Sequence, residues 1–318
     1  MSKQLYGLAP EDYVEPRCVL CDEPYGKTPE VKSVPQQRII EKMDEYMSRR
    51  DYAGAERHLL YWMEEARLGH DQRGCLMLHN ELIGHYRKTA ERERALENVE
   101  QALQLLRRMN FENSISAGTT YVNAATACNA FGENERALML FEKARSVYEI
   151  HNGESAVSET DPQLLGGLYN NMALTCAALA KEKKSSLNTD DQEGTSRSGQ
   201  MAGQEAGMWF ARAFSLYEKA LDQMRLVPNG ELEQAITFLN MADALEGRDG
   251  PEQAERKIAE LLDKAYELLQ TPSVPRDGYY AFVCEKCAPA FSYYGYFLAA
   301  EELRKQAEEI YEAAGRQR

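Results

Sequence analysis

The sequence predicts an all-α fold, a solenoid of about six helix-turn-helix repeats. Three observations predict it: a helical spacing of apolar residues through most of the chain, tight turns that interrupt this spacing, and alanines that recur at a regular interval. The clearest repeat lies within residues 118–144. Apolar residues at i, i+3, i+4 and i+7 start at Tyr121, stop at Phe131-Gly132, and resume at Ala137.

The interval between repeats is visible in the alanines that open the second helix of each pair. Ala55, Ala95 and Ala137 are 40 and 42 residues apart, whereas Ala137 and Ala213 are 76 apart. The longer step indicates an insertion, and residues 182–207 are rich in Ser, Gly, Asp, Gln and Lys. We therefore predict a mobile, low-complexity loop there.

Along the chain, residues 1–34 are predicted to be an irregular N-terminal arm, because prolines punctuate them and no helical period survives. The solenoid is predicted to span residues 35–318. Its fourth pair begins at Asp161-Pro162, which suit a helix cap and a first helical position. The apolar faces of the remaining helices, pair by pair, are Ile39, Met43, Tyr46 and Met47 with Ala55, Leu59, Trp62 and Met63; Leu82, Ile83 and Tyr86 with Ala95, Val99 and Ala102; Tyr169, Met172, Ala173 and Cys176 with Ala213, Tyr217 and Ala220; Phe238, Met241, Ala242 and Leu245 with Ala254, Ile258 and Leu261; and Cys284, Cys287, Ala288 and Phe291 with Ala300, Leu303 and Ala307.

The composition limits the classes of partner. The 318 residues carry a formal charge of −14, with 51 acidic against 37 basic side chains. Nucleic acids and anionic membranes require a basic surface, so we expect neither as a partner, and a basic or neutral protein or peptide fits better. No apolar run approaches a membrane span, the first residues lack a signal peptide, and seven cysteines suggest a reducing compartment. We expect a cytoplasmic protein.

The alanine register resembles the tetratricopeptide repeat family over about residues 36–314. The small residue of the first helix matches Ala125, Ala173, Ala242 and Ala288. The aromatic position four residues before it matches Tyr121, Tyr169 and Phe238, and Cys284 in the last repeat. Arg304 departs from the large apolar position of the second helix, so the last repeat is expected to cap the solenoid. The repeats exceed the family's 34 residues. In that respect they are similar to kinesin light chains and to bacterial peptide sensors. The resemblance implies a right-handed superhelical solenoid with a protein-binding role.

One column of first-helix residues, two positions before the small residue, is expected to face the concave groove. Three successive asparagines, Asn123, Asn171 and Asn240, stand in it. An amide both donates and accepts hydrogen bonds, so a row of them can hold an extended peptide backbone; peptide-binding relatives look similar here. The alternative is that these amides bond to neighbouring helices. The column also holds Glu41 and Glu81, suited to a basic peptide end, and Lys286, suited to an acidic group.

Two pairs of cysteines with CxxC spacing need a separate interpretation. Cys18 and Cys21 lie in the arm, and Cys284 and Cys287 lie in the last repeat. A four-cysteine zinc site would require both ends of the solenoid to meet. Packing cysteines are the better interpretation of both pairs, and Cys18 and Cys21 are weak candidates for a metal.

No histidine spacing, phosphate loop or nucleophile arrangement points to catalysis. We therefore expect a non-enzymatic scaffold without a cofactor that holds an extended peptide in its groove. A regulator that closes on a signalling peptide is the alternative, and a CxxC thiol or zinc protein is a weaker one.

Overall fold

The computed structural model describes residues 30–153, 161–190 and 197–316, so the arm up to residue 29, with Cys18 and Cys21, lies outside it. Within these ranges the chain forms helices and no strand, as six consecutive helix pairs. Their bounds are α1 Gln36–Ser48, α2 Tyr52–Leu68, α3 Gln72–Lys88, α4 Arg92–Arg108, α5 Ile115–Ala130, α6 Asn134–Gly153, α7 Pro162–Asp190, α8 Arg197–Met224, α9 Glu231–Asp249, α10 Pro251–Leu269, α11 Gly278–Tyr293 and α12 Phe297–Arg316.

Short polar side chains start several of these helices. Asp51, Asp71 and Ser114 each accept a hydrogen bond from the backbone N–H three residues ahead, and Asp277 accepts two at the start of α11. Such caps satisfy N–H groups that have no partner inside the helix. Most of the described turns between helices pass through a residue with positive φ, such as Gly132 at 78°, which allows two helices to reverse direction within a few residues.

The alanine register predicted from the sequence is confirmed. The six alanines that open the second helices are fully buried. A methyl group at this position lets the two helices of a pair approach closely while the large side chain four residues later fills the space beside them. These alanines are Ala55, Ala95, Ala137, Ala213, Ala254 and Ala300, and their large partners are Leu59, Val99, Phe141, Tyr217 and Ile258. Arg304, the departure from this column, is exposed.

The predicted loop over residues 182–207 is wrong for the residues that the structure describes. Helix α7 continues to Asp190 and α8 starts at Arg197, so the insertion lengthens both helices of the fourth pair. Lys and Glu are good helix formers, and a polar helix can project into solvent without a buried face. Lys184 Nζ also donates to the main-chain oxygens of Gly247 and Arg248, which ties the extension to the end of α9.

The first two repeats contact the last one. Arg50 Nη2 lies 2.5 Å from Glu285 Oε1, across 235 residues of sequence. Lys88 Nζ lies 5.6 Å from the centre of the Tyr52 ring and 5.8 Å from that of Phe282. The solenoid therefore curves so that its two ends come together.

Candidate functional site

The first helices of successive repeats pack side by side, so they line one face of the solenoid. Neighbouring pairs in this layer are α3 with α5, α7 with α9, and α9 with α11. The helices α5 and α7 approach each other less closely than these pairs. The groove is therefore wider between the third and fourth repeats than at these three junctions.

The six predicted groove residues all lie on this layer. Asn123, Asn171, Asn240 and Glu81 are half-buried, and Glu41 and Lys286 are exposed. Four of these six residues line two cavities. One of about 540 Å³ between α3 and α5 is lined by Glu81 and Asn123, and one of about 330 Å³ between α9 and α11 is lined by Asn240 and Lys286.

Two of the three asparagines bond to a neighbouring helix, which is the alternative that the sequence left open. Asn123 Nδ2 donates to Asn80 Oδ1 at 3.1 Å, and this joins α5 to α3. Asn240 Nδ2 donates to Asn170 Oδ1 at 3.1 Å, and this joins α9 to α7. Each bridge uses one amide N–H, so the Oδ1 atoms of Asn123 and Asn240 have no bonded partner among the described residues.

The third asparagine, Asn171, forms no such bridge among the described residues. The side-chain amide of Asn171 has no hydrogen-bond partner in the described part of the chain; only its main-chain oxygen accepts a bond, from Thr175 Oγ1 at 3.0 Å. Asn171 lies on α7, at the edge of the wide gap opposite α5. Its donor and its acceptor are both available to a peptide group in the groove.

The partners Asn80 and Asn170 could not be identified from the groove column alone. Each stands one residue before a column residue, Glu81 and Asn171, and so lies on the side of its helix that faces the next repeat. The signal in the sequence was two consecutive polar residues in each of these repeats, Asn80-Glu81 and Asn170-Asn171. Asn80 also donates to Thr120 Oγ1 at 3.0 Å, which extends the bridge along α5.

The charged residues divide the groove into an acidic and a basic region. Burial, and then the nearby Asp44 carboxylate, raise the pKa of Glu81. The surrounding protein lowers the pKa of Lys286, and Arg87 from the second repeat lowers it further. The Lys286 side chain is exposed to the groove, and the protein around it removes enough water to lower its pKa. Arg87 and Lys286 are close because the ends of the solenoid meet.

The cysteines of the last repeat are inert packing residues. Cys284 and Cys287 are buried, and burial raises the pKa of both thiols, to about 12 for Cys287. A thiolate, which is the reactive form and the metal ligand, is disfavoured there. No group of three or more His, Cys, Asp or Glu side chains suited to a metal occurs within the described ranges.

No described helix has both the length and the apolar character needed to cross a membrane.

Comparison with known proteins supports the repeat assignment. The family model for the tetratricopeptide repeat matches residues 75–150, which span α3 to α6. The solved structure of BtubC (BKLC) from P. vanneervenii matches 73% of this chain and 78% of its own, with a TM-score of 0.50 and 18% sequence identity. At that identity the likeness shows the fold alone. No curated protein matches the chain.

Tetratricopeptide repeats generally mediate protein interactions without catalysis, and the match indicates a protein-interaction scaffold. The matched pairs and those on either side share one alanine register and one packing arrangement. Residues 75–150 of the chain match the tetratricopeptide repeat, and the helix pairs on either side continue the same all-α solenoid.

Proposed function

We propose that the chain is a non-enzymatic scaffold that holds an extended peptide segment of a partner protein in its groove. The observation that carries the proposal is the free amide of Asn171 on α7, beside the gap between the third and fourth repeats. Asn123 and Asn240 stand on either side, each with a free Oδ1. Together they offer hydrogen bonds to a peptide backbone whatever its side chains, and the bridges to Asn80 and Asn170 keep the amides in place.

The charges of the groove suggest a direction for the peptide. Glu41 and Glu81, with Asp44 beside them, suit a basic or neutral end, and Lys286 suits an acidic group at the other end. A protein or peptide partner therefore fits the groove better than a nucleic acid. Five cysteines among the described residues are free thiols, which supports a reducing location such as the cytoplasm.

The experiment compares partner capture by the parent protein and by Asn171→Ala. A tagged chain is incubated with a lysate of its host cell, and bound proteins are identified by mass spectrometry. We expect Asn171→Ala to lose most of the capture with an unchanged melting temperature, because its amide has no internal bond to lose. Asn123→Ala and Asn240→Ala should also lower the stability, by about 0.5–1.5 kcal/mol each, because each breaks a bridge.

Glu135→Gln, an exposed change on α6, is the control for capture. Capture by Asn171→Ala that equals capture by this control would contradict the proposal. A fall in the melting temperature of Asn171→Ala without loss of capture would show that the amide is structural.

One observation favours a second candidate, a sensor whose superhelix closes on a signalling peptide. The contacts of Arg50 with Glu285 and of Lys88 with Phe282 already join the two ends. Exposed ion pairs contribute only about 0–1 kcal/mol, so a ligand that also contacts both ends can tighten or release this junction. A change in the radius of gyration when the partner is added would favour the sensor, and an unchanged radius would favour the scaffold.

A further inference from the structure

The junction between the last two repeats is wider than the others. The helices α10 and α11 approach each other less closely than α2 and α3, α4 and α5, α6 and α7, or α8 and α9. Aromatic rings occupy part of the space. The Phe291 ring centre lies 5.9 Å from that of Tyr266 and 6.2 Å from that of Tyr296. The rings hold the helices apart and leave an opening beside them.

This opening forms two connected clefts that share Tyr296, of about 750 Å³ and 490 Å³. We call them together the terminal cleft. Its larger part lies between the end of α9, α10 and the end of α11, and its smaller part lies between α10 and the start of α12. Phe297 and Leu298 are 68% and 84% exposed at its edge. Exposed apolar side chains grouped in a concave surface are typical of interaction sites.

The charges around the terminal cleft are all of one sign. Five carboxylates line it, and none of its lining residues is Lys, Arg or His. None of the five forms an ion pair with a basic side chain in the described part of the chain. Glu252 and Glu255 also have no hydrogen-bond partner there, and the others bond to tyrosine hydroxyls. The five are Glu246, Glu252, Glu255, Asp263 and Glu302.

Many, but not all, of the described aromatic rings outside the cleft have a basic side chain over them. Twelve rings of the described residues have a Lys or Arg side chain over them, for example Arg276 over Tyr280 at 4.0 Å and Arg94 over Tyr86 at 4.2 Å. The five rings of the terminal cleft have none: Tyr266, Tyr293, Tyr294, Tyr296 and Phe297. A cation over a ring gains about 0.5–1 kcal/mol at exposed sites. The cleft thus lacks the cations that accompany other rings.

We propose that the terminal cleft docks a basic segment of a partner protein. Arginine or lysine side chains of that segment lie over Tyr296 and Phe297 and pair with Glu252 and Glu255, while its apolar side chains contact Leu298. The rings and the unpaired carboxylates are complementary to such a segment in shape and in charge.

Other occupants are disfavoured by charge. Residues 1–29 of this chain contain three Lys or Arg against five Asp or Glu. A second copy of the chain carries a formal charge of −14. Both would bring further negative charge to a rim that already lacks cations, so a separate, basic protein is the occupant that fits.

The test measures binding of a fluorescein-labelled octapeptide of alternating arginine and leucine, by fluorescence anisotropy in 150 mM salt. We expect the parent chain to bind it, and both Glu252→Gln/Glu255→Gln and Phe297→Ala to raise Kd about three- to tenfold. Phe297 is mostly exposed, so its replacement leaves the core unchanged. An octapeptide of alternating glutamate and leucine should not bind.

The matched control is Glu93→Gln/Glu135→Gln. It removes the same two charges from exposed, unpaired positions in the first turns of α4 and α6. It should change Kd by less than about twofold, because general attraction to an acidic protein is screened at this salt. Asn171→Ala should leave Kd unchanged, so a failure of the groove proposal and a failure of this one are distinguishable.

Three outcomes would overturn the proposal: no binding of the arginine–leucine peptide, equal losses in the cleft variant and in the matched control, or loss of binding in Asn171→Ala. A chain that is dimeric in solution and becomes monomeric in Phe297→Ala would also overturn it. That result would assign the cleft to a second copy of the chain.

Discussion

At the scale of single residues, two glycines in first helices have opposite surroundings. Gly84 lies within α3, where a Cβ atom would have no neighbour within 4 Å. Gly118 is buried near the start of α5, where a Cβ atom would stand 2.3 Å from a ring carbon of Tyr148. The Tyr148 ring is itself buried and has little room to move.

The same substitution should therefore have opposite effects at these positions. We expect Gly84→Ala to raise the free energy of unfolding by about 0.5–1 kcal/mol, because alanine restricts the unfolded chain and favours helix. We expect Gly118→Ala to lower it by about 1–3 kcal/mol through overpacking. Urea denaturation of both variants checks this, and a change of the same sign in both would contradict the packing described here.

The sequence predicted the buried alanines but not the hydrogen-bond partners of the asparagines. Ala137 and its equivalents were predictable because a close helix contact tolerates only a small side chain. Alanines therefore recur at a regular interval in the sequence. The bonding of Asn123 was not, because its partner Asn80 comes from another repeat, and spacing within one helix does not identify a partner across repeats. The free amide of Asn171 could be recognised only once these bridges were known.

At the scale of elements, the fourth helix pair extends beyond the others. Its apolar core ends at Ala180 on α7 and begins again at Ala206 on α8. The described side chains between them, residues 181–186 and 200–205, are exposed or half-buried. Composition predicted a loop here because Ser, Gly and charged residues are common to loops and to solvated helices.

We expect this extension to be dispensable for stability. Replacement of residues 187–203 by a short glycine–serine turn should leave the melting temperature nearly unchanged, because it removes no residue seen to be buried. Limited proteolysis should cut the parent chain first in this stretch, and thermal unfolding of the shortened chain measures the contribution directly. A large fall in its melting temperature would show that the extension supports the solenoid.

At the scale of the whole molecule, the meeting of the two ends depends on curvature. Each repeat is rotated slightly relative to the previous one, and the five small rotations between the first and the sixth repeat accumulate until Arg50 reaches Glu285. No local pattern encodes this sum, so the sequence predicted the repeats and their groove but not the closure. For the same reason, the proximity of Arg87 and Lys286 could not be predicted.

The central claim is that a partner peptide lies along the first helices, inside the groove. Hydrogen–deuterium exchange of the chain, alone and with the partner identified by capture, tests it most directly. Our account predicts slower exchange in α5, α7 and α9 and little change in α4, α6 and α8, because only the first helices face the groove. Slower exchange confined to the second helices, or to α10 and α12, would contradict it.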